Sequence, residues 1–239
     1  MMTGQNLRRA QAITLSEGRS GRTMKIIGAR LVLQSAVLAI AFATVARAED
    51  ATTAAVSKQD VAAKLQYCEV CHGPSARGFV GYYPIPRLAG QQPAYLMNQL
   101  QAFVERRRVN PIMFNVSHVL SPAMQTALAA NFSDLNPKPL GGAPRELVAA
   151  GKKIFDEGIP AASVPACSSC HGPEAKGNDV FPRLAGQIYP YIVRELADWS
   201  KERGQDPAKP DNSAIMQPIA HSLTEPQVKA VAAYLSELE

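Results

Sequence analysis

The apolar residues of this chain fall in short alanine- and leucine-rich stretches, separated by loops rich in proline and glycine. Such stretches predict α-helices, because helix formers fill them and helix breakers bound them. The predicted helices are residues 54–67, 93–108, 124–135, 145–157, 189–203 and 227–238. The third and the sixth follow Ser121-Pro-Ala-Met and Thr224-Glu-Pro-Gln, in which a capping residue precedes a proline of the first turn. The pattern predicts an all-α fold.

The second half of the chain repeats the first. Residues 68–78 read Cys-Glu-Val-Cys-His-Gly-Pro-Ser-Ala-Arg-Gly, and residues 167–177 read Cys-Ser-Ser-Cys-His-Gly-Pro-Glu-Ala-Lys-Gly. Three later pairs of segments also match: 86–91 with 182–187, 112–118 with 215–221, and 128–135 with 231–238. The offset drifts from 99 to 96 to 103 residues, so small insertions separate the blocks. Two homologous domains are predicted, residues 49–136 and 145–239, joined at 137–144 by a proline- and glycine-rich linker that favours extended chain.

The first 48 residues are predicted to be a leader. A positively charged segment precedes an apolar run at 31–45, and Ala46-Arg-Ala48 has the Ala-x-Ala pattern of a signal-peptide cleavage site. We expect cleavage after Ala48 and export to the periplasm. Residues 1–23 either lengthen this leader or precede a true start at Met24. The apolar run has 15 residues, fewer than the roughly 20 that span a bilayer, so no transmembrane span is expected in the mature form.

Removal of this leader changes the charge of the molecule. The whole chain has 25 Lys and Arg against 20 Asp and Glu, and the first 48 positions hold 7 of the basic residues and 1 of the acidic ones. The remainder has 18 basic and 19 acidic residues, a net charge of −1. The pI of about 9.1 therefore belongs largely to the leader, and no nucleic-acid partner is expected. The basic run Arg106-Arg107-Arg108 is interpreted as a solvated helix end rather than a docking site.

A five-residue motif, Cys-x-x-Cys-His, occurs once in each copy. Its residues are Cys68, Cys71 and His72 in the first copy and Cys167, Cys170 and His171 in the second. The motif is typical of c-type haem attachment, in which both thiols form thioethers with the vinyl groups and the histidine binds the iron. These four cysteines are the only ones in the chain, so none remains for a disulfide. We therefore predict two covalently bound haem c groups.

Two other uses of Cys-x-x-Cys fit this chain less well. A zinc site places its two pairs roughly 15–20 residues apart, whereas 95 residues separate Cys71 from Cys167. A thioredoxin-like redox pair needs a βαβ setting, and no strand-like alternation surrounds either pair.

The second axial ligand separates electron transfer from catalysis, because a Met/His pair closes the iron whereas an open position admits oxygen or peroxide. After His171 the second copy contains one methionine, Met216, and the repeat places Met113 at the matching position. Met97 and Met124 have no methionine counterpart in the second copy and are interpreted as core packing. We predict that Met113 and Met216 are the iron ligands, held in loops just ahead of the last helix of each domain.

The repeat also aligns three further pairs of residues: His118 with His221, Pro86 with Pro182, and Arg87 with Arg183. The histidines are alternative axial ligands, or they pack beside the haem or cap a helix. The backbone oxygens of the prolines are candidate acceptors for the ring N–H of the proximal histidines. The arginines either pair with haem propionates or are surface charges.

Two features distinguish the copies. Gly151 predicts a close helix crossing, because the small residue lets another helix approach, and no glycine lies near the matching place in the first copy. The segment 79–85 is extra loop content in the first copy, so the surroundings of the haem are expected to differ there.

These motifs together resemble the cytochrome c4 family. The resemblance rests on two Cys-x-x-Cys-His-Gly-Pro segments, each followed by Arg-Leu-Ala-Gly-Gln and by Met-x-x-Val/Ile, and it covers residues from about 54 to 238. It implies two class I cytochrome c domains with a pseudo-twofold relation and haems that face each other across the interface. It also implies a periplasmic carrier between a quinol-oxidising complex and a terminal oxidase or reductase. By position, it assigns haem attachment to Cys68, Cys71, Cys167 and Cys170, and the axial pairs to His72 with Met113 and His171 with Met216.

Three hypotheses about function follow. The first is a one-electron carrier in respiratory electron transfer, without catalysis of its own, whose two irons cycle between Fe(III) and Fe(II). The second is the haem subunit of a periplasmic dehydrogenase or of a sulfide-oxidising flavocytochrome, with the catalytic cofactor on another chain. The third is a dihaem peroxidase, which needs an exchangeable sixth ligand and conflicts with two matched methionines. Each of the three hypotheses is compatible with peripheral association of the protein with a membrane surface.

Overall fold

The computed structural model describes residues 56–203 and 212–239. The predicted leader lies outside the described residues. The helices of the described ranges are α1 (Lys58–His72), α2 (Pro93–Val104), α3 (Pro111–Ser117), α4 (Pro122–Asp134), α5 (Arg145–Glu157), α6 (Ser168–His171), α7 (Tyr189–Ala197), α8 (Trp199–Glu202), α9 (Ser213–Ser222) and α10 (Glu225–Glu237). Within these ranges the only β-type pairing is in isolated bridges, which confirms the all-α prediction.

The helix starts follow the capping residues that the sequence predicts. The Ser121 hydroxyl accepts a hydrogen bond from the N–H of Met124 at 3.2 Å, with Pro122 in the first turn of α4. At the start of α10, the N–H of Thr224 donates to Oε1 of Gln227 at 2.8 Å. Each of these bonds pairs a backbone or side-chain group that a helix terminus would otherwise leave to solvent.

Two predicted helices are shorter or broken. The helix expected at 93–108 ends at Val104, because the chain turns at Arg106, whose φ is +60°. The helix expected at 189–203 is divided into α7 and α8 at Asp198.

The prediction that the two candidate methionines lie in loops is wrong. Met113 belongs to the short helix α3 and Met216 to α9. Helix α3 forms because Asn110 caps it, with Oδ1 accepting the N–H of Met113 at 3.0 Å, and Pro111 occupies the first turn. Each methionine nevertheless lies directly ahead of the last helix of its half, as predicted.

We call residues 56–136 the first half and residues 145–239 the second half. In the first half, α4 packs against α1 and α2; in the second half, α10 packs against α5 and α7. Each half has its own buried apolar cluster, centred on Leu128 and Phe132 in the first and on Phe155 and Leu235 in the second. The two clusters lie at matching helix crossings, as the internal repeat predicts.

The methionines without a counterpart contribute to the core of the first half. Met97 and Met124 are partly buried and pack against its apolar cluster, as predicted. The proline-rich segment at 135–144 that connects the halves contains no helix; the linker bounds stay a prediction.

Candidate haem sites

The two Cys-x-x-Cys-His motifs lie at the ends of helices. In the first half, α1 runs without interruption through the motif and ends at His72. In the second half, α5 ends at Glu157, a loop with a 3-10 helix at Pro160–Ala162 follows, and the short helix α6 carries the motif and ends at His171. The motif is therefore helical in both halves, although the chain enters it differently.

The four cysteines are free, and one thiol of each pair is more buried than the other. Cys68 and Cys167 are half-buried, whereas Cys71 and Cys170 are exposed. Burial raises the pKa of the Cys68 thiol and raises that of Cys167 to about 11. A thioredoxin-like nucleophile needs a lowered thiol pKa, so these environments disfavour that alternative.

Each motif histidine points one ring nitrogen at a backbone carbonyl. Nδ1 of His72 donates to the oxygen of Pro86 at 2.8 Å, and Nδ1 of His171 donates to the oxygen of Pro182 at 2.9 Å. Both acceptors are those that the sequence predicts. A carbonyl can only accept, so the proton lies on Nδ1 and Nε2 is left with its lone pair. This is the tautomer that an axial haem ligand requires.

Burial keeps both imidazoles neutral. His72 is 7 % exposed and His171 is 8 % exposed. Burial lowers the pKa of each below its ordinary value, although the hydrogen bond to the proline carbonyl acts in the opposite direction. A neutral imidazole with a free Nε2 is ready to bind a metal without first losing a proton.

The loop that follows each histidine brings the proline carbonyl into place. The N–H of Gly78 donates to the oxygen of His72 at 2.7 Å. Gly73 has a φ of +78°, and a Cβ there would lie 2.3 Å from the oxygen of Gly78, so only glycine fits. The oxygen of the buried Ala76 accepts the N–H groups of Leu88 and Ala89, which fixes the chain next to Pro86.

The second half repeats the hydrogen bonds that hold this loop. The N–H of Gly177 donates to the oxygen of His171 at 2.8 Å, and the oxygen of Ala175 accepts the N–H groups of Leu184 and Ala185. The repeated sequence His-Gly-Pro-x-Ala-x-Gly followed by Pro-Arg-Leu-Ala therefore encodes one local structure, which holds a histidine in a fixed tautomer.

The candidate sixth ligands are half-buried, and the alternative histidines are exposed. Met113 and Met216 are intermediate in exposure. Nδ1 of the exposed His118 donates to the oxygen of Phe114 at 3.1 Å, and its ring stacks on that of Phe114. Nε2 of the exposed His221 contacts the hydroxyl of Ser200. Iron ligation by the methionines stays a prediction.

The paired arginines are not surface charges, and that alternative is wrong. Arg87 is 3 % exposed and Arg183 is 8 % exposed. Arg87 donates to the oxygen of Pro137 at 2.8 Å and to Oδ1 of Asn136 at 3.2 Å, and Arg183 donates to the same Oδ1 at 3.4 Å. Burial and the nearby guanidinium of Arg183 lower the pKa of Arg87 to about 10. Two buried cations with neutral hydrogen-bond partners suit the anionic propionates of a haem.

A second buried network, which the sequence analysis missed, joins the halves near the end of α2. Arg108 is buried and donates to Oε2 of Glu195 at 3.0 Å and to Oε1 of Gln99 at 2.9 Å. Arg203 donates to the same two side chains, at 2.5 Å and 2.7 Å. The interpretation of 106–108 as a solvated helix end is thus wrong for its last residue.

The internal repeat of the sequence contains a pattern that could have predicted this network. Gln99 and Glu195 occupy equivalent positions on α2 and α7, and the main chains of Arg108 and Arg203 form an antiparallel bridge. Burial by itself raises the pKa of the Glu195 carboxyl, but the two guanidinium groups lower it more, to about 2. Glu195 is therefore ionised, and its carboxylate forms ion pairs with Arg108 of the first half and with Arg203 of the second.

Comparison with known proteins identifies the family of this chain. The cytochrome c family model matches residues 148–239. Cytochrome c-552 of Acidithiobacillus ferridurans is 37% identical over 195 residues, which is 78% of this chain and 81% of that protein. A thiosulfate dehydrogenase electron acceptor of Thiomonas intermedia is 36% identical over 175 residues, 71% of this chain and 77% of that protein. Cytochrome c4 of Thiocapsa roseopersicina is 34% identical over 175 residues, 72% of this chain and 86% of that protein.

Solved structures of cytochrome c4 also resemble this chain. The structure of Acidithiobacillus ferrooxidans cytochrome c4 has a TM-score of 0.61 and 37% identity, and it covers 72% of this chain and 99% of that one. The reduced recombinant cytochrome c4 from Pseudomonas stutzeri has a TM-score of 0.65 and 30% identity, with 77% and 100% covered. A thiosulfate dehydrogenase from Marichromatium purpuratum has a TM-score of 0.62 and 34% identity, with 72% of this chain but 36% of that one covered.

The chain belongs to the cytochrome c4 family. It is accordingly a c-type electron carrier built from two class I cytochrome c domains, without catalysis of its own. The pseudo-twofold relation of the family is visible at Gln99 and Glu195, which occupy equivalent positions and each accept hydrogen bonds from both Arg108 and Arg203. None of the helices in the described ranges is long and apolar enough to cross a bilayer.

Proposed function

We propose that this cytochrome carries two covalently attached haem c groups and exchanges one electron at each. Cys68 and Cys71 hold the first haem and Cys167 and Cys170 hold the second. His72 and Met113 would hold the iron of the first haem, and His171 and Met216 that of the second. When bound, the haems supply the Fe(III)/Fe(II) couple. The side chains of this chain would bind the haems, orient them and shield them from water.

The observation that carries this proposal is the identical setting of the two histidines. In each half a buried, neutral imidazole donates from Nδ1 to a proline carbonyl and keeps Nε2 free. A histidine that served packing alone would not need the same tautomer, acceptor and cysteine spacing twice. Nearby, Arg87 and Arg183 would neutralise propionates, since their hydrogen-bond partners carry no charge.

A redox titration followed by optical spectra tests the carrier function. Two one-electron steps are expected, with the methionine–iron band in the oxidised protein. The reduced protein should not bind carbon monoxide stoichiometrically at neutral pH, because a methionine closes each iron. Stoichiometric binding at one iron would instead support the peroxidase alternative.

We propose the periplasm as the location, because the segment from Met24 to Ala48 has the composition of a cleavable signal peptide. Export also fits the attachment of haem to cysteine thiols. The donor would be a quinol-oxidising complex, and the acceptor a terminal oxidase or reductase. Cell fractionation with N-terminal sequencing tests this: a mature chain that begins at Glu49 in the periplasmic fraction supports it, and an intact leader on a cytoplasmic chain contradicts it.

The second candidate is the electron acceptor of a thiosulfate-oxidising enzyme. It is favoured by the relative of that name in Thiomonas intermedia and by the thiosulfate dehydrogenase structure, in which a region like this chain forms part of a longer polypeptide. Copurification of a dehydrogenase at fixed stoichiometry from the native host, and reduction of this cytochrome by it with thiosulfate, would favour this candidate. A dehydrogenase that reduces other cytochromes but not this one would count against it.

A further inference from the structure

Each motif histidine is connected to the opposite half through one peptide group and one glutamine side chain. The carbonyl of Pro86, which accepts Nδ1–H of His72 at 2.8 Å, belongs to the same peptide as the N–H of Arg87. That N–H donates across the interface to Oε1 of Gln187 at 2.8 Å. Nε2 of Gln187 donates back to the oxygen of Arg87 at 3.1 Å. Gln187 of the second half is therefore hydrogen-bonded to the peptide group whose carbonyl orients His72 of the first half.

The reciprocal connection runs from the first half to the second. Nδ1–H of His171 donates to the oxygen of Pro182 at 2.9 Å, and the N–H of the same peptide, which belongs to Arg183, donates to Oε1 of Gln91 at 2.7 Å. Nε2 of Gln91 donates back to the oxygen of Arg183 at 3.0 Å. A backbone N–H can only donate and a carbonyl can only accept, so these partners fix the orientation of both side-chain amides.

Both connections are buried. Gln91 is 6 % exposed and Gln187 is 7 % exposed, and the arginines and histidines that they reach are also buried. Hydrogen bonds in series polarise one another, and they do so more strongly where water is absent. A peptide whose N–H donates to a glutamine oxygen has more negative charge on its own carbonyl oxygen. That oxygen is then a stronger acceptor for the histidine N–H.

We infer that each glutamine sets the reduction potential of the haem in the other half: Gln187 that of the haem bound by His72, and Gln91 that of the haem bound by His171. The inference rests on the proposed function, because it requires the two histidines as axial ligands. A stronger acceptor at Nδ1–H makes the imidazole a more basic ligand, and a more basic ligand stabilises Fe(III) relative to Fe(II). The glutamines are thus positioning residues that lower the potentials.

The test compares Gln187→Met and Gln91→Met in the full, haem-loaded protein. Methionine has nearly the shape of glutamine but neither donates nor accepts a strong hydrogen bond. Gln187→Met should raise the potential of the haem bound by His72, with a change of up to about tenfold in the Fe(III)/Fe(II) equilibrium constant, which is about 59 mV for a one-electron couple. Gln91→Met should act in the same direction on the other haem.

The histidine N–H resonances report which half responds. Reduced low-spin Fe(II) is diamagnetic, so Nδ1–H of His72 and of His171 can each be observed by NMR in protein labelled with ¹⁵N-histidine. Gln187→Met should shift the His72 signal upfield, because its acceptor has become weaker, and should leave the His171 signal in place. Gln91→Met should do the reverse.

Gln92→Met is the matched control. Its Nε2 also donates across the interface, to the oxygen of Lys176 at 2.9 Å, but that contact is exposed and does not touch a peptide that accepts from a histidine. It should move neither potential nor either resonance. If Gln92→Met shifts the potentials as much as Gln187→Met does, a general loosening of the interface is responsible and the inference is overturned.

If a methionine variant does not fold, Gln187→Asn provides a second test. The shorter amide keeps the site neutral and polar but withdraws its oxygen from the N–H of Arg87, so it should raise the potential of the haem bound by His72 more than that of the other haem. Equal shifts at both haems, a shift confined to the glutamine's own half, or no shift would each overturn the inference. Failure of the proposed function is seen separately, as a wild-type protein without two haems and two one-electron steps.

Discussion

Gly151 lies directly against the backbone of Ala230, where α5 crosses α10. A Cβ on Gly151 would stand 1.9 Å from the carbonyl oxygen of Ala230 and 2.8 Å from Cβ of Tyr234. No side chain fits in that space, so the two helices of the second half touch main chain to main chain. The close crossing expected from the sequence at this glycine is confirmed.

Gly151→Ala should destabilise the protein by about 1–3 kcal/mol, since an added methyl group must push the helices apart. Helix propensity alone predicts the opposite sign, a gain of about 1 kcal/mol. Denaturant unfolding of the haem-loaded variant measures the difference. Ala150→Gly, at an exposed position of the same helix, is the control and should cost about 1 kcal/mol through propensity. A Gly151→Ala protein at least as stable as wild type would contradict the crossing.

Glu195→Gln should weaken the contact between the halves. Arg108 and Arg203 would remain buried without a carboxylate, a situation that typically costs about 3–5 kcal/mol. Thermal unfolding measures this loss. Glu174→Gln is the control, because Glu174 is exposed and pairs with Lys176 alone, and it should leave stability unchanged. If the wild type and Glu195→Gln were equally stable, the ion pairs of Glu195 would make no net contribution to the stability of the folded protein.

The same carboxylate should give the wild-type protein a distinct acid dependence. The pKa of Glu195 is lowered to about 2 in the folded chain, against about 4.3 for an unperturbed glutamate. Its stabilising effect is therefore fully present above the unfolded pKa and is lost as the pH falls from about 4.3 toward 2. Urea unfolding at a series of pH values should show a shallower slope in this window for Glu195→Gln. Parallel curves for the two proteins would argue against the assigned ionisation.

Met113→Ala and Met216→Ala should each affect one haem. Loss of the sulfur ligand should lower one reduction potential and let that iron bind carbon monoxide, while the other potential stays close to its wild-type value. Met97→Ala is the matched control: its side chain packs in the core of the first half, so it should cost about 2 kcal/mol of stability without opening an iron. If the Met97 variant opens an iron and the Met113 variant does not, the ligand assignment is wrong.

Local features were predictable from the sequence because neighbouring residues determine them. The serine and threonine caps, the proline carbonyl acceptors and the close approach at Gly151 all depend on short-range chemistry. Met113 lies in a helix rather than the expected loop because Asn110 caps the segment and Pro111 occupies its first turn. The short segment gave too little periodicity to reveal a helix of 7 residues.

Contacts between the halves were not predictable in the same way. The sequence around Arg87 and Arg108 predicts exposed side chains. Both are buried because the two halves pack against each other, and the sequence of the linker does not determine that packing. A pairwise comparison of the copies offers the one available signal. Gln91 with Gln187 and Gln99 with Glu195 are polar residues at matching positions of the repeat, and all four are buried in the structure.

The central claim is that both Cys-x-x-Cys-His motifs hold a haem covalently. Intact-mass spectrometry of the exported protein under denaturing conditions tests it most directly, since a thioether-linked haem stays on the chain after unfolding. The expected mass is that of the polypeptide from Glu49 to Glu239 plus two haems, and Cys167→Ala with Cys170→Ala should remove one of them. A mass equal to the bare polypeptide, or one that the double variant leaves unchanged, would contradict the claim.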